Sequence, residues 1–180
     1  VILQMLALGL GEISRFPFVQ PPDNRNINDG FRLLEEIQAV TRNQGKMQLT
    51  QTGRQIARLP IDPRYARMVL EANRTNALRE VMIIAAGLSI QDPRERPADK
   101  RQQADEAHRE YADKDSDFIS LLNTWNGFRE QQNALTQNQL RKWCKSHFLN
   151  YLRMREWQDI VSQLKKSLAE LKLGLSNQQA

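Results

Sequence analysis

One segment constrains the fold more than any other: residues 77–90, ALREVMIIAAGLSI, are apolar on almost every side of a helix. A helix of this kind cannot face water along its length, so other elements must surround it. The flanking segments can supply them, because most carry apolar residues at three- and four-residue spacing. The sequence therefore predicts a mainly α-helical protein with residues 77–90 at its centre.

The N-terminal part predicts a smaller unit, a winged helix over residues 1–61. It opens with a short apolar helix, VILQMLALGL, and a loop in which Phe16 and Phe18 are expected to plug the core. KMQLT alternates like a short strand of a strand pair, and Thr50 can cap the following helix, QTGRQIARL. The order helix, helix, strand pair and helix in about sixty residues is typical of a winged helix. The stripe that predicts the second helix comprises Ile27, Phe31, Leu34, Ile37 and Val40.

The remaining residues, 62–180, predict an all-α helical bundle. Asp62-Pro63 is a strong helix start, because the carboxylate can accept free backbone amides and proline fits the first turn. The next stretch without apolar periodicity, QDPRERPADKRQQADE, predicts a surface loop that runs into a solvated helix. The first helix of the bundle is expected to carry Tyr65, Met68, Val69 and Ala72.

Capping residues predict the later helices of the bundle. Ser116 can cap one helix, and Thr136 with Gln139 forms a capping box for the next. Gly174 suits the left-handed residue that ends the last helix. The apolar stripe after Ser116 comprises Phe118, Leu121, Leu122, Trp125 and Phe128. The core stripe of the last helix is predicted to comprise Leu149, Leu152, Trp157, Ile160, Val161, Leu164, Leu168 and Leu171.

Composition limits the classes of function. The chain is 40% hydrophobic and 26% charged, as in ordinary folded proteins, and its net charge of +5 suits a nucleic-acid partner without requiring one. A single cysteine excludes an internal disulfide, so we expect a reducing, cytoplasmic environment. No apolar run approaches the roughly 20 residues that span a bilayer, and we expect no membrane partner. The first residue is Val1, which suggests part of a longer protein.

Catalytic motifs are missing from the sequence. It contains no glycine-rich phosphate loop, no nucleophile elbow and no His-carboxylate cluster, so we expect no catalytic residue, metal ion or cofactor in this chain. Cys144 lies beside Trp143 on an apolar face and is interpreted as a small core residue. His108 lies among charges and is predicted to be solvated.

Two charged clusters have ordinary explanations. Asp113, Asp115 and Asp117 superficially resemble a calcium loop, but the glycine and the closing glutamate of such a loop are missing. Arg94 and Arg96 could meet phosphate, yet they alternate with acidic residues, which is typical of solvated surface charge.

A basic patch on the last two predicted helices is the best candidate for a binding site. Residues 141–155 hold five cations and neither Asp nor Glu, with Trp143 and Tyr151 among them. Such a patch can follow a phosphate backbone while rings or amides touch bases. An ordinary solvated helix face is the alternative that the residues leave open. The candidate RNA-binding residues are Arg141, Lys142, Lys145, His147, Asn150, Arg153 and Arg155.

Nearly the whole chain resembles the helicase-associated region of DEAH-box RNA helicases. LTQTGRQIARLPIDPRYARMVLEA is similar to the junction of winged helix and ratchet in that family, REVMIIAAGLSI to its central ratchet helix, and RKWCKSHFLNYLRMREWQDIVSQL to its final helices. IQDPRERPADKRQQADE resembles the bacterial HrpA branch. The chain departs from the eukaryotic pattern at Leu152, which separates Tyr151 from Arg153. The matching positions of the junction are Gly53, Arg54, Pro60, Asp62, Pro63 and Arg64.

The resemblance implies an accessory, non-catalytic region of an ATP-dependent RNA helicase. ATP and Mg²⁺ would be bound by two RecA-like domains before this region, and an oligonucleotide-binding domain would follow it. The ratchet would wall a channel for single-stranded RNA, so that movement of the RecA-like domains carries RNA along a fixed surface. The winged helix would be a packing module, because Arg54 and Arg58 are the only charges of its last helix. We expect the chain alone to be a monomer.

Two other functions stay open. A winged-helix regulator would need a basic recognition helix and a two-fold interface. A protein-binding adaptor would use the helical part for docking, and its basic patch would be incidental. Titration with single-stranded RNA and with duplex DNA distinguishes these hypotheses.

Overall fold

The computed structural model describes residues 1–171, and within them it contains nine α-helices and one antiparallel strand pair. The mainly helical fold class predicted from the sequence is confirmed. Gly174, the predicted end of the last helix, lies outside the described residues. None of the described helices is long and apolar enough to span a membrane. The elements are α1 Ile2–Leu8, α2 Asn24–Glu36, β1 Val40–Asn43, β2 Lys46–Leu49, α3 Gln51–Ala57, α4 Pro63–Ala72, α5 Leu78–Leu88, α6 Arg101–His108, α7 Asp117–Ala134, α8 Gln137–Ser146 and α9 Tyr151–Glu170.

The strand pair follows α2 more closely than predicted. Val40 was predicted as the last position of the helical stripe, but it begins β1 and pairs with Leu49. The helix stops because Gln38 adopts a left-handed conformation, with φ of 61°. Gln44 and Gly45 also have positive φ, which is the geometry of the two-residue turn that matches the twist of a hairpin.

The predicted start of α3 at Thr50 is confirmed, and the packing around it explains why residue 53 is a glycine. Thr50 accepts a hydrogen bond from the Gly53 amide at 2.9 Å, and its hydroxyl donates to the Gln38 carbonyl at 2.6 Å. A Cβ at Gly53 would collide with the Ala39 carbonyl oxygen. Glycine therefore allows α3 to pack directly against the chain that enters the hairpin.

The central position of α5 is confirmed. It packs against α4, α7 and α9, and Met82 and Ala86 are completely buried. The start of α4 is also confirmed, since the Asp62 carboxylate accepts from the Arg64 amide at 2.8 Å. One hydrophobic cluster joins residues before and after Asp62, so the division predicted at residue 62, which stays a prediction, does not split the core.

The capped starts of α7 and α8 are confirmed, whereas three positions of the predicted stripes are wrong. Phe118 is 48% exposed, because it lies in the first turn of α7, before the packed part of that helix. Asn150 caps α9, so Leu149 is buried just before the helix. Leu152 is 74% exposed, since it lies about 200° around the helix from the buried Met154.

Candidate nucleic-acid interface

The basic patch predicted at residues 141–155 covers α8, the turn that follows it and the first turns of α9. On α8, Leu140 and Cys144 face the core, and the prediction that Cys144 is a small core residue is confirmed by its 1% exposure. Arg141 and Lys145 are exposed and one helical turn apart, so they share the outward side of α8. Lys142 is exposed beside them.

A cation-π contact joins α8 to α9. The guanidinium carbon of Arg141 lies 5.1 Å from the ring centroid of Tyr151, in the range where the ring attracts a cation. Tyr151 also accepts a hydrogen bond from Gln137 at 3.4 Å. Arg155 is exposed one turn further along α9. The cation-π contact and the one-turn spacings on both helices place four residues near one another, and we call them the basic face: Arg141, Lys145, Tyr151 and Arg155.

Trp143 on α8 and His147 just after it pack away from the basic face. The Trp143 ring stacks on His147, with 4.3 Å between ring centroids, and meets Tyr111 edge-on. His147 lies 3.1 Å from the Glu110 carboxylate through Nε2 and 2.8 Å from the Trp143 carbonyl through Nδ1. Tyr151 is therefore the ring left beside the exposed cations, while the contact of His147 with RNA stays a prediction.

Two further candidate residues have bonds inside the protein. The Asn150 side chain accepts from the Arg153 amide at 3.0 Å, which caps α9, and donates to Glu95 at 2.8 Å. The Arg153 guanidinium donates to the Asp92 carbonyl at 3.0 Å. Both residues hold the start of α9 against the loop before α6, and so they position the basic face.

Arg94 was predicted to be a solvated charge, and this is wrong. Its side chain is 20% exposed and pairs with Asp92 at 2.9 Å and with Asp117 at 2.7 Å. Burial lowers the pKa of Arg94, but the hydrogen bonds that its guanidinium donates to these two carboxylates outweigh it and raise the pKa above its usual value. Arg96, in contrast, is exposed and pairs with Asp105, as expected for surface charge.

The prediction for His108 is also wrong. It is half-buried, and Nε2 lies 3.0 Å from the Phe148 carbonyl, because α6 packs against the turn between α8 and α9. Asp113 has a structural role, since its carboxylate accepts from the amides of Asp115 and Ser116, each at 2.9 Å. Within residues 1–171, no group of three His, Cys, Asp or Glu side chains is placed to hold a metal ion.

Comparison with known proteins identifies relatives along the whole chain. Residues 62–121 match the family described as helicase associated domain (HA2), ratchet-like. The ATP-dependent RNA helicase HrpA of Escherichia coli (strain K12) is 55% identical over 182 residues, which cover 100% of this chain and 14% of that protein. The HrpA homolog of Haemophilus influenzae is 51% identical over 184 residues, with coverages of 100% and 14%. The human protein named probable ATP-dependent RNA helicase DHX35 is 31% identical over 174 residues, 96% of this chain and 24% of that protein. The chain therefore spans a small part of each relative's length.

Proposed function

Because this chain belongs to the helicase-associated region of DEAH-box RNA helicases of the HrpA type, we propose that it walls the path of single-stranded RNA in such an enzyme. ATP hydrolysis, with Mg²⁺, would take place on RecA-like domains elsewhere in the protein, and this chain would contribute no catalytic residue. Its contribution would be a surface along which RNA moves when those domains open and close.

The basic face is the observation that carries this proposal. Arg141, Lys145 and Arg155 are exposed, and none of them takes part in the ion pairs found in residues 1–171. Cations without carboxylate partners are available for phosphates, and the half-buried Tyr151 ring between them offers a surface on which a base can stack. The combination suits a single strand, whose bases are free to stack.

The packing beneath the basic face supports a coupling role. Next to the basic face, the adjoining side of α9 buries Met154 and Trp157, both completely enclosed, and the Trp157 ring packs against the central helix α5. Closely packed interiors have low compressibility, so α9 can hold its position when force is applied to a bound strand. Movement of the RecA-like domains would then displace RNA relative to the basic face instead of deforming it.

We propose packing roles for the winged helix as well. An apolar groove of about 390 Å³ lies between α1 and α2 and is lined by Ile2, Phe18 and Leu33. Its lining suits a RecA-like domain better than a duplex, and α3 with its C-cap exposes only Arg54 and Arg58 as charges. The ratchet would contact the RecA-like pair and an oligonucleotide-binding domain of the same monomeric, cytoplasmic protein.

Charge reversal on the basic face tests the proposed RNA site. The triple variant R141E/K145E/R155E should bind a labelled single-stranded RNA much more weakly, as measured by fluorescence anisotropy. The dependence of log K on log salt should also become shallower, by about 0.7 for each lost phosphate contact. In the full-length protein that carries this region, the number of base pairs unwound per ATP hydrolysed should fall.

A matched control separates local contacts from net charge. R25E/R32E/K46E changes three exposed cations of the first part by the same total charge and should weaken binding far less. Equal losses in the two variants, or no loss in either, would contradict the proposed site. Tight, sequence-specific binding of duplex DNA by the unmodified chain would favour a winged-helix regulator instead.

A further inference from the structure

The side of α9 that carries the basic face continues well beyond residues 141–155. Tyr151, Arg155, Gln158, Ser162 and Lys165 follow one another at alternating spacings of four and three, so they lie along one side of the helix. Arg155 and Lys165 are ten residues apart, which corresponds to about 15 Å along the helix axis. Its members are cationic or neutral, with the exposed Asp159 beside them, and the row leads from the basic face toward the C-terminal half of α9.

At the end of the row lies a cleft of about 330 Å³ between α5, α7 and α9. Three cations from three different helices line it, Arg79 on α5, Arg129 on α7 and Lys165 on α9, and no Asp or Glu does. Met82 and Trp125, both buried, contribute apolar lining. We call this the cationic cleft.

The contacts around the cationic cleft leave much of its positive charge uncompensated. Arg129 donates to the neutral Gln132 side chain at 2.8 Å, and Gln132 in turn is hydrogen-bonded to Gln158 in both directions, at 2.7 and 3.2 Å. Arg79 has a single carboxylate neighbour, Glu80, at 3.5 Å, and Lys165 takes part in none of the ion pairs found up to residue 171. Arg129 and Lys165 therefore line the same cleft as Arg79 without a carboxylate partner of their own, and a bound anion relieves the repulsion among such like charges.

We propose that the cationic cleft binds a phosphate group of single-stranded nucleic acid, as a second contact for a strand that also lies on the basic face. Two arginines can offer paired donors to phosphate oxygens, and the Lys165 ammonium adds a point charge. The cleft, with a volume of about 330 Å³, has room for a backbone phosphate, and the row from Tyr151 to Lys165 gives the strand a route of cationic and neutral side chains to it. That the strand is RNA rests on the proposed function, whereas the cleft is a separate site with its own residues.

Neutral substitutions in the cationic cleft test this inference without introducing new charge. R129Q/K165Q should weaken the binding of a fluorescein-labelled 12-nucleotide oligouridylate to the chain roughly tenfold, since two charge-assisted contacts are lost. R101Q/K166Q is the matched control, because it removes one arginine and one lysine that are exposed outside the cleft lining. This control should change the affinity by less than about twofold, the effect of net charge alone.

Comparing the affinities of these variants for the oligouridylate tests the cleft and the basic face separately. If R129Q/K165Q binds it as tightly as R101Q/K166Q does, while R141E/K145E/R155E binds it more weakly, the cationic cleft is not a phosphate site and the proposed function stands. If the cleft variant binds more weakly and the basic-face variant does not, the cleft is supported and the basic face is overturned.

An oligoglutamate peptide tests whether the ligand is an acidic protein segment instead. If the peptide binds more tightly than the oligouridylate and its binding depends on Arg129 and Lys165, the cleft is a site for acidic protein segments, and our inference is wrong. The single variant Lys165→Gln, at an exposed position, repeats the test should the double variant unfold.

Discussion

Cys144 illustrates how burial controls the chemistry of a single residue. Its side chain is almost completely enclosed, and this burial raises the pKa of the thiol to about 11. The thiolate is the reactive form of cysteine, so the folded protein holds this residue in its unreactive state at neutral pH. The interpretation of Cys144 as a core residue and not a nucleophile rests on this environment.

We expect iodoacetamide to label Cys144 only after unfolding. At pH 8, mass spectrometry should find the native chain essentially unlabelled, and the labelling rate should rise with urea in step with unfolding. Because the folded pKa is raised, the unfolded thiol ionises first as the pH rises, and stability should fall between about pH 9 and pH 11. A native labelling rate equal to that of a free cysteine would contradict this expectation.

Two neighbouring arginines near the basic face have different roles because they make different contacts. Arg153 and Arg155 are two positions apart, yet Arg153 donates to the Asp92 carbonyl while Arg155 is exposed. Both are arginines of the same predicted helix, so the sequence could not predict which of them is hydrogen-bonded within the protein. Only the position of the loop before α6 decides which of the two remains available to a ligand.

Among the contacts between elements, that of α5 with α9 depends on a glycine, which lets the two helices approach closely. Gly87 on α5 meets the flat Trp157 ring, and the indole N–H donates to the Ile83 carbonyl at 2.8 Å. The ring is completely buried, so neither it nor the hydrogen bond can shift without disturbing the core. Glycine within a helix lowers stability relative to alanine, and here, in the last turn of α5, the close approach of the two helices offsets that cost.

Gly87→Ala should therefore destabilise the protein by about 1–3 kcal/mol, the usual range for overpacking a core. The new Cβ would lie 2.7 Å from Cζ2 of Trp157. Urea unfolding, followed by circular dichroism, measures the change. Gly30→Ala is the matched control, because its Cβ would meet the flexible end of Ile2, and helix propensity should make that change neutral or slightly stabilising. Equal effects of both substitutions would show that the ring is not the cause.

For the whole molecule, the shared core matters more than the predicted boundary at residue 62. Leu34 and Ile56, from the first part, belong to the same hydrophobic cluster as Val69 and Trp157. A continuous core couples its members, so the winged helix and the bundle are expected to unfold as one cooperative unit.

Ile56→Ala tests this coupling. Ile56 is 1% exposed, and its truncation should cost about 2–5 kcal/mol. All three tryptophans, Trp125, Trp143 and Trp157, follow residue 62, so their fluorescence reports on the bundle alone. We expect the urea midpoints from fluorescence and from circular dichroism to fall together. The exposed Val19→Ala should change neither midpoint.

Separate unfolding transitions would contradict this expectation. If Ile56→Ala shifts part of the circular dichroism transition and leaves the tryptophan transition in place, the winged helix unfolds separately. The boundary at residue 62 would then be an energetic division as well as a sequence prediction.

The sequence by itself determined most of the elements of this protein. Thr50, Asp62, Ser116 and the pair Thr136 and Gln139 all cap the helices that they predicted. Residues 77–90 are apolar on almost every side, and this predicted the central position of α5. These features are local, because a cap or an apolar stripe is satisfied within a few residues of itself. Errors arose at helix starts, as at Leu152 in the first turn of α9, because the residue at which a helix begins decides which of its first side chains face the core.

Only the tertiary structure decided which polar side chains are free to act. Arg94 pairs with Asp117, 23 positions away, and Arg153 bonds to the Asp92 carbonyl, 61 positions away. It also brought the cations of the cationic cleft together from three helices that are distant in the chain. The physical reason is that a charged group is satisfied by whatever partner folding places beside it, and sequence spacing contains no record of such distant partners.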